Sequence, residues 1–551
     1  MDQIGQWADR WGFRISSSKS QYMVFGFKRK IPDLNLVMNG HPLERVKVFK
    51  FLGLWMDERL TWKTHIEKVQ CKCEKVNNIL RSLAGSDWGA ERETLHMIYQ
   101  AMIRSTLDYG SVVFGAAAKS HLCKLDRIQS KALRVCSGAF KTTPIPALLV
   151  EMGEAPLNNR RNKLGLHYWV KLSGFQYSSA AKCILEECWE FAGKEERATF
   201  FHHIKRLAAN IGLNKASIIW SVWSPVPFWF LPELEVDLSL LGRKEGISSD
   251  QVHRYLGQFE KERVQIYTDG SKDPGSGRTG FGMYVEERQI QQSIRITDHA
   301  SVFTAELLAI LWAMWWIEEV KPAKSLICSD SAAALVALRG GESKARSDLI
   351  WEVKCCMYRL EIMGCQVTLL WVPGHSGVKG NEEADKVAKR AIKKENIDFK
   401  VKLGKFECFS ICREQLEQQW QQEWAEEERG RLYFSVQPSI KKKSCAMYSG
   451  RRDDIVITRL RLGHCGLASC LNNIGKHPDG LCQCGQLETV QHVLFSCERY
   501  RSERQQMFEG LADLGLRVFS FKAIFTPEGN FQQIGRIVLN FLHSTELYSK
   551  V

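Results

Sequence analysis

In the middle of the chain, apolar and polar residues alternate in the way that is typical of β-strands. Residues 264–267 and 280–285 alternate with a period of two, and residues 290–296 follow as a third stretch of the same kind. Glycine-rich turns separate these stretches. Three consecutive strands joined by short loops predict an antiparallel meander.

The periodicity then switches repeatedly between that of a helix and that of a strand. Helices are predicted at 304–319, 331–338 and 348–362, strands at 325–329 and 366–372, and a last helix from residue 382. Strands that alternate with helices predict a mixed sheet with helices packed upon it. We therefore expect an α/β fold with a five-stranded mixed sheet, in which parallel strands extend the meander.

The flanking regions have weaker or different patterns. Amphipathic helices are predicted at 62–83 and 92–105, after shorter strand-like pieces, whereas prolines and aromatic residues interrupt the periodicity at 218–234. The predicted division is a basic, mostly helical region at 1–171, a connector at 172–261, the sheet domain at 262–395, a helical linker at 396–445 and a small C-terminal domain at 446–551.

Positive charge is concentrated near the start of the chain. The net charge is +14, and residues 1–170 contain 26 Lys and Arg against 15 Asp and Glu, whereas residues 264–394 contain 17 against 16. A basic excess attracts phosphate backbones, although it also suits anionic membranes or simple solubility. The N-terminal region is the part expected to contact a nucleic acid backbone.

Cysteine usage and hydropathy indicate the compartment. The 18 cysteines are scattered rather than spaced as in a small secreted disulfide framework. Residues 1–12 lack the pattern of a secretory signal, and the longest apolar run, 307–317, is too short to span a bilayer. We expect an intracellular protein, nuclear or cytoplasmic, that has no membrane partner.

Four acidic residues lie where predicted strands end and helices begin. Asp269 ends the first strand, Glu306 opens the first long helix, Asp330 ends the next strand, and Asp385 lies in the first turns of the last helix. Such ends meet at one edge of a sheet. Crowded carboxylates repel one another unless a divalent cation neutralises them, and oxygen ligands favour magnesium or manganese. Each acid alone also fits a turn or a helix N-terminus.

The residues around these acids resemble the ribonuclease H family in four motifs in the same order. They are IYTDGS at 266–271, TAELLA at 304–309, CSDS at 328–331, and VPGHSG at 372–377 followed by GNEEAD at 380–385. The motifs cover about a quarter of the chain. The resemblance implies hydrolysis of the RNA strand of an RNA/DNA hybrid with two metal ions.

The resemblance also implies a role for each site residue. Asp269 would bridge both ions, Asp385 would help to hold the ion that activates water, and Glu306 with Asp330 would hold the ion facing the leaving group. His375 would shuttle a proton or help product release. The substrate-binding candidates are Gly270 and Ser271, which would discriminate RNA from DNA at the 2′-hydroxyl.

Residues 1–171 resemble the region that follows the palm in reverse transcriptases of jockey-like non-long-terminal-repeat retrotransposons. The matching segments are FKFLGL at 49–54, LTW at 60–62, LDYG at 107–110 and PLNNRR at 156–161. The polymerase motif of an aromatic residue, any residue and two aspartates is absent, because the sole aspartate pair, Asp453 and Asp454, follows two arginines. We interpret the chain as a C-terminal fragment that does not polymerise DNA by itself, with Met1 downstream of the polymerase carboxylates; an unrelated basic helical domain at 1–171 is the alternative interpretation.

A second candidate metal site lies near the C-terminus. Cys482, Cys484, His492 and Cys497 provide three thiolates and an imidazole, which are enough for one tetrahedral zinc ion. The spacing differs from that of the usual zinc knuckle, and buried cysteines without a metal are the alternative interpretation.

Three functions remain open from the sequence. The first is an active hybrid-specific endonuclease derived from a retroelement. The second is a catalytically idle remnant that only binds nucleic acid, and the third is another nuclease or a transposase that shares the sheet and the acids.

Overall fold

The chain forms two compact units in a computed structural model. The first unit consists of Met1–Gly165, Thr199–Phe201 and Gln415–Val551, and the second of Leu166–Ala198 and His202–Glu414. The structure describes residues 2–26, 31–38, 40–85, 87–174, 200–214, 218–219, 230–241, 249–259, 263–340, 345–441, 450–526 and 529–551. Large parts of the predicted connector at 172–261 therefore lie outside the described residues.

The second unit is built on a mixed six-stranded sheet. Its strands are β1 (Val236–Asp237), β2 (Val264–Lys272), β3 (Thr279–Val285), β4 (Ile290–Ile296), β5 (Lys324–Ser329) and β6 (Gln366–Trp371), in the order β4-β3-β2-β5-β6-β1. The β4-β3 and β3-β2 pairs are antiparallel, and the β2-β5, β5-β6 and β6-β1 pairs are parallel. This arrangement confirms the predicted α/β fold of a meander extended by parallel strands.

The sheet differs from the prediction in two details. A sixth strand, β1, pairs Val236 and Asp237 with Leu369 and Leu370 of β6, and two residues are too few to give a period-two signal. Strand β2 also continues beyond the predicted end, so that Asp269 pairs with Gly282 inside the strand rather than ending it.

Four helices accompany the sheet between β4 and residue 391. They are α1 (Val302–Val320), α2 (Ala332–Gly340), α3 (Ser347–Ile362) and α4 (Lys379–Ala391). Helix α1 is apolar nearly all round, and twelve of its residues are buried, which explains why its sequence lacks a polar face. Burial of each fully buried Leu or Ile side chain there contributes about 1.5 to 3 kcal/mol to the stability of the folded state. Two further described helices are Phe200–Asn210 and Ser249–Leu256.

Trp312 and Trp315 of α1 pack against neighbouring aromatic rings rather than presenting a platform to solvent. The Trp312 ring lies 5.7 Å from that of Phe281 and 5.8 Å from that of Phe399. Trp315 contacts Phe399 as well. Both tryptophans are half-buried against these rings, whereas Trp316 of the same helix is buried.

The first unit is mainly helical. Its helices before the sheet unit are Asp2–Arg10, Lys63–Leu83, Arg92–Ile98, Tyr99–Arg104 (a π-helix), Ser105–Asp108, Ser111–Phe114, Lys119–Ser137, Ile145–Met152 and the start of Leu157–Ser173. Its strands are Gln21–Tyr22 with Glu44–Arg45, Val37–Met38 with His41–Pro42, and Val48–Phe51 with Leu54–Asp57. Its later helices are the end of Lys405–Glu426, then Arg431–Val436, Arg451–Leu462, Ala468–Asn472, Val490–Phe495, Arg501–Asp513, Phe521–Phe525 and Phe531–Ser544.

The two ends of the chain share the core of the first unit. Buried Leu80 and Leu133 from the N-terminal part belong to the same apolar cluster as Val456 and Leu542 from the C-terminal part. The long helix predicted in the linker also packs into it, since Trp424 is 2% exposed. The segments before and after the sheet unit therefore fold together.

A buried ionic network joins the same two segments. Glu151 lies 2.8 Å from the guanidinium of Arg92 and 3.0 Å from that of Arg461, and the Tyr433 hydroxyl donates to it at 2.5 Å. These three partners replace the hydration that the carboxylate loses on burial.

In the part of the chain that the structure describes, no helix is both long and apolar enough to cross a membrane.

Candidate active site

Three of the four predicted acids converge at one edge of the sheet. Asp269 lies in β2, Glu306 in the second turn of α1, and Asp330 directly after β5. One carboxylate oxygen from each lies within 4.8 Å of the others. Asp269 and Glu306 are buried, with 7% and 5% exposure, so the cluster is a recessed acidic site rather than a solvated surface.

Glycine allows the elements that carry these acids to approach closely. A Cβ at Gly270 would lie 2.8 Å from the backbone nitrogen of Glu306, and a Cβ at Gly374 would lie 2.8 Å from Oδ2 of Asp330. Any larger residue at 270 would push α1 away from β2. Gly270, predicted to contact substrate, thus has a packing role as well.

Burial and mutual repulsion raise the pKa of each clustered acid. Burial, followed by the charges of Asp330 and Asp385, raises the pKa of Asp269 to about 7. Burial and the charges of Asp269 and Asp330 raise the pKa of Glu306 well above its ordinary value. Burial also raises the pKa of Asp330, although a hydrogen bond from Asn381 opposes it. Without a cation, the cluster holds its full negative charge only at a cost.

The donor set fits a hard divalent cation. Oε2 of Glu306 is buried, and no described residue donates a hydrogen bond to it. An unpartnered buried carboxylate oxygen facing two further carboxylates is the environment that magnesium or manganese satisfies. The residues present therefore fit the metal that the sequence predicts at this position.

Asp385 lies beside this cluster rather than within it. Its helix, α4, packs on β3 where a Cβ at Gly282 would come within 2.6 Å of both the Ala384 oxygen and the Ala388 nitrogen. Oδ2 of Asp385 forms a 2.7 Å ion pair with Lys389, one turn further along. The charge of Asp385 nevertheless acts on Asp269 and Asp330, so the fourth acid faces the same site.

His375 lies in the loop between β6 and α4. Its backbone is left-handed, with φ of 54°, and its side chain is exposed. The imidazole is near enough to Asp330 for its charge to lower the pKa of that carboxyl, against the larger effect of burial.

Ser271 continues β2 past Asp269 and pairs with Gly280. Its side chain is half-buried at the same end of the strand.

Two residues of α4 that were not predicted as site residues belong to this site. Asn381 is buried and donates to Oδ2 of Asp330 at 3.3 Å, and Lys389 pairs with Asp385. Residues 381, 385 and 389 are spaced by four and share one face of the helix. That spacing is visible in the sequence and could have identified both.

The four predicted zinc ligands also lie together. The Sγ atoms of Cys482 and Cys497 are 3.7 Å apart, and Sγ of Cys484 is 3.1 Å from Nε2 of His492. All four ligand atoms lie within 4.8 Å of one another. Gly485, with φ of 86°, makes the turn after the second cysteine. These separations fit a tetrahedral ion with Zn–S bonds of about 2.3 Å.

Comparison with known proteins identifies the sheet domain. The family model described as RNase H matches residues 261–393. The RNA-directed DNA polymerase from mobile element jockey of Drosophila melanogaster is 33% identical over 146 residues, which cover 25% of this chain and 15% of that protein. The probable RNA-directed DNA polymerase from transposon X-element of the same organism is 27% identical over 136 residues, with the same coverage. The matches thus span about 15% of the length of these relatives.

Among solved structures, LC11-RNase H1 isolated from compost is 18% identical and covers 24% of this chain and 96% of its own, with a TM-score of 0.21. The N-terminal RNase H domain of rv2228c from Mycobacterium tuberculosis is also 18% identical, with coverages of 24% and 98% and a TM-score of 0.20. From the family match, residues 261–393 are a ribonuclease H domain, and a quarter of the chain is similar to the RNA-directed DNA polymerases of jockey and other non-long-terminal-repeat retrotransposons.

Proposed function

We propose that this chain is a metal-dependent endoribonuclease that hydrolyses the RNA strand of RNA/DNA hybrids. The observation that carries the proposal is the convergence of Asp269, Glu306 and Asp330 within 4.8 Å, with Asp385 beside them, in a domain of the ribonuclease H family. An acidic cluster of this kind serves phosphodiester cleavage, since it holds cations next to a phosphate that would otherwise be repelled.

Asp269, Glu306, Asp330 and Asp385 would hold magnesium or manganese at this site. When bound, such ions supply charge neutralisation and an activated water for in-line attack on phosphorus. The water loses a proton as its oxygen bonds to phosphorus, and O3′ takes up a proton as its bond to phosphorus breaks, which leaves a 5′-phosphate and a 3′-hydroxyl. His375, on its exposed loop, gives or takes a proton at a ring nitrogen during this exchange or during product release.

Substrate selection would depend on the backbone rather than the bases. Gly270 and Ser271 lie on β2 next to Asp269, where they can read a 2′-hydroxyl on the strand to be cut. The basic residues 1–170 supply attraction for phosphates. Sequence preference is expected to be weak, because phosphate and sugar contacts carry no base information.

A structural zinc ion is proposed at Cys482, Cys484, His492 and Cys497. Closely grouped thiolates and an imidazole support it, as does the hydroxyl of Ser496, which lies 3.3 Å from Nδ1 of His492 and can orient the ring. This ion would stabilise the first unit and would take no part in cleavage.

The test uses labelled RNA/DNA hybrid, RNA duplex and DNA duplex with magnesium, manganese or a chelator. The full chain is compared with Asp269→Asn and with Glu287→Gln, which neutralises an exposed acid outside the cluster. We expect metal-dependent loss of the hybrid's RNA strand in wild type and Glu287→Gln only.

Other outcomes identify the other functions. Hybrid binding without cleavage by the folded wild-type protein would favour an idle nucleic-acid-binding remnant. Cleavage of the DNA duplex would favour a different nuclease of the same fold. Unchanged cleavage by Asp269→Asn would contradict the two-metal assignment.

A further inference from the structure

A segment beyond the family match returns to the start of the helix that carries Glu306. After α4, the Asp398 carboxylate accepts from the backbone nitrogen of Arg295 at 2.8 Å. Phe399 then pairs with Ile296 in a parallel bridge. The backbone nitrogen of Val401 donates to the Thr297 hydroxyl at 2.9 Å. The chain therefore follows the end of β4 toward α1.

This segment delivers a buried carboxylate, Glu407, to the N-terminus of α1. Oε1 of Glu407 accepts from the backbone nitrogen of Ser301 and from the hydroxyl of Thr304, each at 2.6 Å. Oε2 accepts from the backbone nitrogen of Gly404 at 2.6 Å. Glu407 is 6% exposed, so these hydrogen bonds are made away from water and are correspondingly strong.

A buried arginine completes the arrangement. Nη1 of Arg346 donates to the Thr304 hydroxyl at 2.9 Å and lies 3.6 Å from Oε2 of Glu407. Its other end binds Asp348 at 2.8 Å. Ser301 itself caps α1, since its side chain accepts from the Thr304 backbone nitrogen. Glu407 and Arg346 thus hold the first turn of α1 together, since both bind the Thr304 hydroxyl.

The first turn of α1 determines where Glu306 lies. Oε2 of Glu306 has no hydrogen-bond donor among the described residues, and the donor that acts on the carboxylate is the backbone N–H of Gly270 in β2. Its position depends on the α1 backbone, which packs against Gly270 at the residue 306 nitrogen. A rotation or fraying of this turn would move Glu306 away from Asp269 and Asp330.

We propose that Glu407, together with Arg346, is a positioning residue for the metal site. It fixes the first turn of α1 and thereby holds Glu306 at the distance that a shared cation requires. The proposal rests on the proposed metal-dependent function. It also extends the working nuclease past residue 393, where the family match ends, to residue 407.

The test measures manganese binding by isothermal titration calorimetry, with the full-length chain and with Asp269→Asn to define binding at the acidic site. Glu407→Ala is compared with two controls. Leu360→Ala opens a cavity near the C-terminal end of α3. The adjacent Arg359 pairs with Glu318 near the C-terminal end of α1, so this control changes packing away from the first turn of α1. Glu488→Ala removes another buried carboxylate that accepts from a backbone nitrogen, that of Ala468, in the first unit.

We expect Glu407→Ala to weaken manganese binding about tenfold, the effect usual for residues that orient a metal ligand, and both controls to stay within about twofold. Hydrogen exchange of the amides at 301–307 should accelerate in Glu407→Ala alone. The magnesium concentration for half-maximal hybrid cleavage should rise in parallel with the manganese dissociation constant.

Unchanged manganese affinity in Glu407→Ala, with faster exchange or lower thermal stability, would overturn the proposal and leave Glu407 as a stabilising cap only. If Glu407→Ala does not fold, Glu407→Gln, which keeps the volume and one acceptor, decides by the same comparison. Wild-type protein that binds manganese through Asp269 but cuts no hybrid would contradict the nuclease function alone. Wild type without such binding would contradict both.

Discussion

The ammonium group of Lys389 lies 2.7 Å from Oδ2 of Asp385, one turn away on α4. Its charge also lowers the pKa of Asp269, against the larger effects of burial and of neighbouring acids. A protein cation therefore partly neutralises the acidic site. A metal ion that uses Asp385 has to compete with Lys389 for the same oxygen.

Replacing Lys389 should strengthen metal binding. In Lys389→Met, the magnesium concentration for half-maximal hybrid cleavage is expected to fall about threefold, as suits an exposed ion pair. The assay is run near pH 8.5, above the pKa of about 7 that burial and acidic neighbours give Asp269. Lys386→Met removes the 2.7 Å pair with Glu383 on the same helix and should leave this concentration unchanged. A higher magnesium requirement in Lys389→Met would show that Lys389 assists metal binding.

Metal binding should release protons near neutral pH. Because burial and acidic neighbours raise the pKa of Asp269 to about 7, part of the cluster is protonated at pH 6 and must ionise to bind a cation. Apparent manganese affinity should therefore rise from pH 6 to 8, by up to about tenfold per unit for each proton released. Calorimetry in buffers of different ionisation enthalpy measures that release directly. Proton release of zero at pH 6 would contradict the raised pKa.

The same raised pKa predicts that the acidic site destabilises the metal-free protein. The folded state retains the Asp269 proton between about pH 4 and 7 while the unfolded chain has lost it, so stability falls as pH rises through that window. Asp269→Asn removes the penalty, and the metal-free variant should be more stable than wild type at pH 8 by about 1 to 3 kcal/mol. Thermal unfolding in chelator tests this. Equal stability at pH 8, or a difference that persists at pH 4, would contradict it.

Local patterns were enough to predict most of the sheet domain. The period-two stretches and the glycine-rich turns predict β2 to β4, and Asp330 follows a predicted strand in the position that the structure gives it. Asn381 and Lys389 lie four residues on either side of Asp385. Their contribution was therefore readable from helical spacing, although neither was predicted as a site residue.

Contacts between distant parts of the chain could not be predicted in this way. Glu407 reaches Ser301 across 106 positions, and Arg461 reaches Glu151 across 310. A single acid in an amphipathic helix has the same sequence signature whether it faces water or a buried amide. The joint folding of the two ends of the chain is invisible to periodicity for the same reason.

Zinc removal should loosen the C-terminal part of the first unit. The full chain is expected to contain one zinc ion, and cobalt substitution should give the absorption of a tetrahedral site with thiolate ligands. Cys497→Ser should lose the ion, whereas Cys136→Ala, which removes another buried thiol of the same unit, should retain it. Metal analysis of the purified variants measures this. Metal-free wild-type protein that is as stable as the zinc-loaded protein would contradict a structural ion.

Neutralising Glu151 should uncouple the two ends of the chain. Although burial raises the pKa of Glu151, Arg461 and Arg92 lower it below the ordinary value, so the carboxylate is charged and holds both arginines. Glu151→Gln removes the carboxylate that binds both buried guanidinium groups and leaves Asp454 as their nearby acid, which is expected to cost about 3 to 5 kcal/mol. Glu67→Gln, which removes the more exposed pair with Lys124, should cost much less, because water and salt screen a pair of this kind. Denaturant unfolding followed by hydrogen exchange distinguishes the two ends of the chain. We expect hydrogen-exchange protection to be lost in both Arg451–Leu462 and Arg92–Ile98, because these helices supply Arg461 and Arg92 to one carboxylate. Loss of protection in only one of the two helices would mean that the ends fold independently.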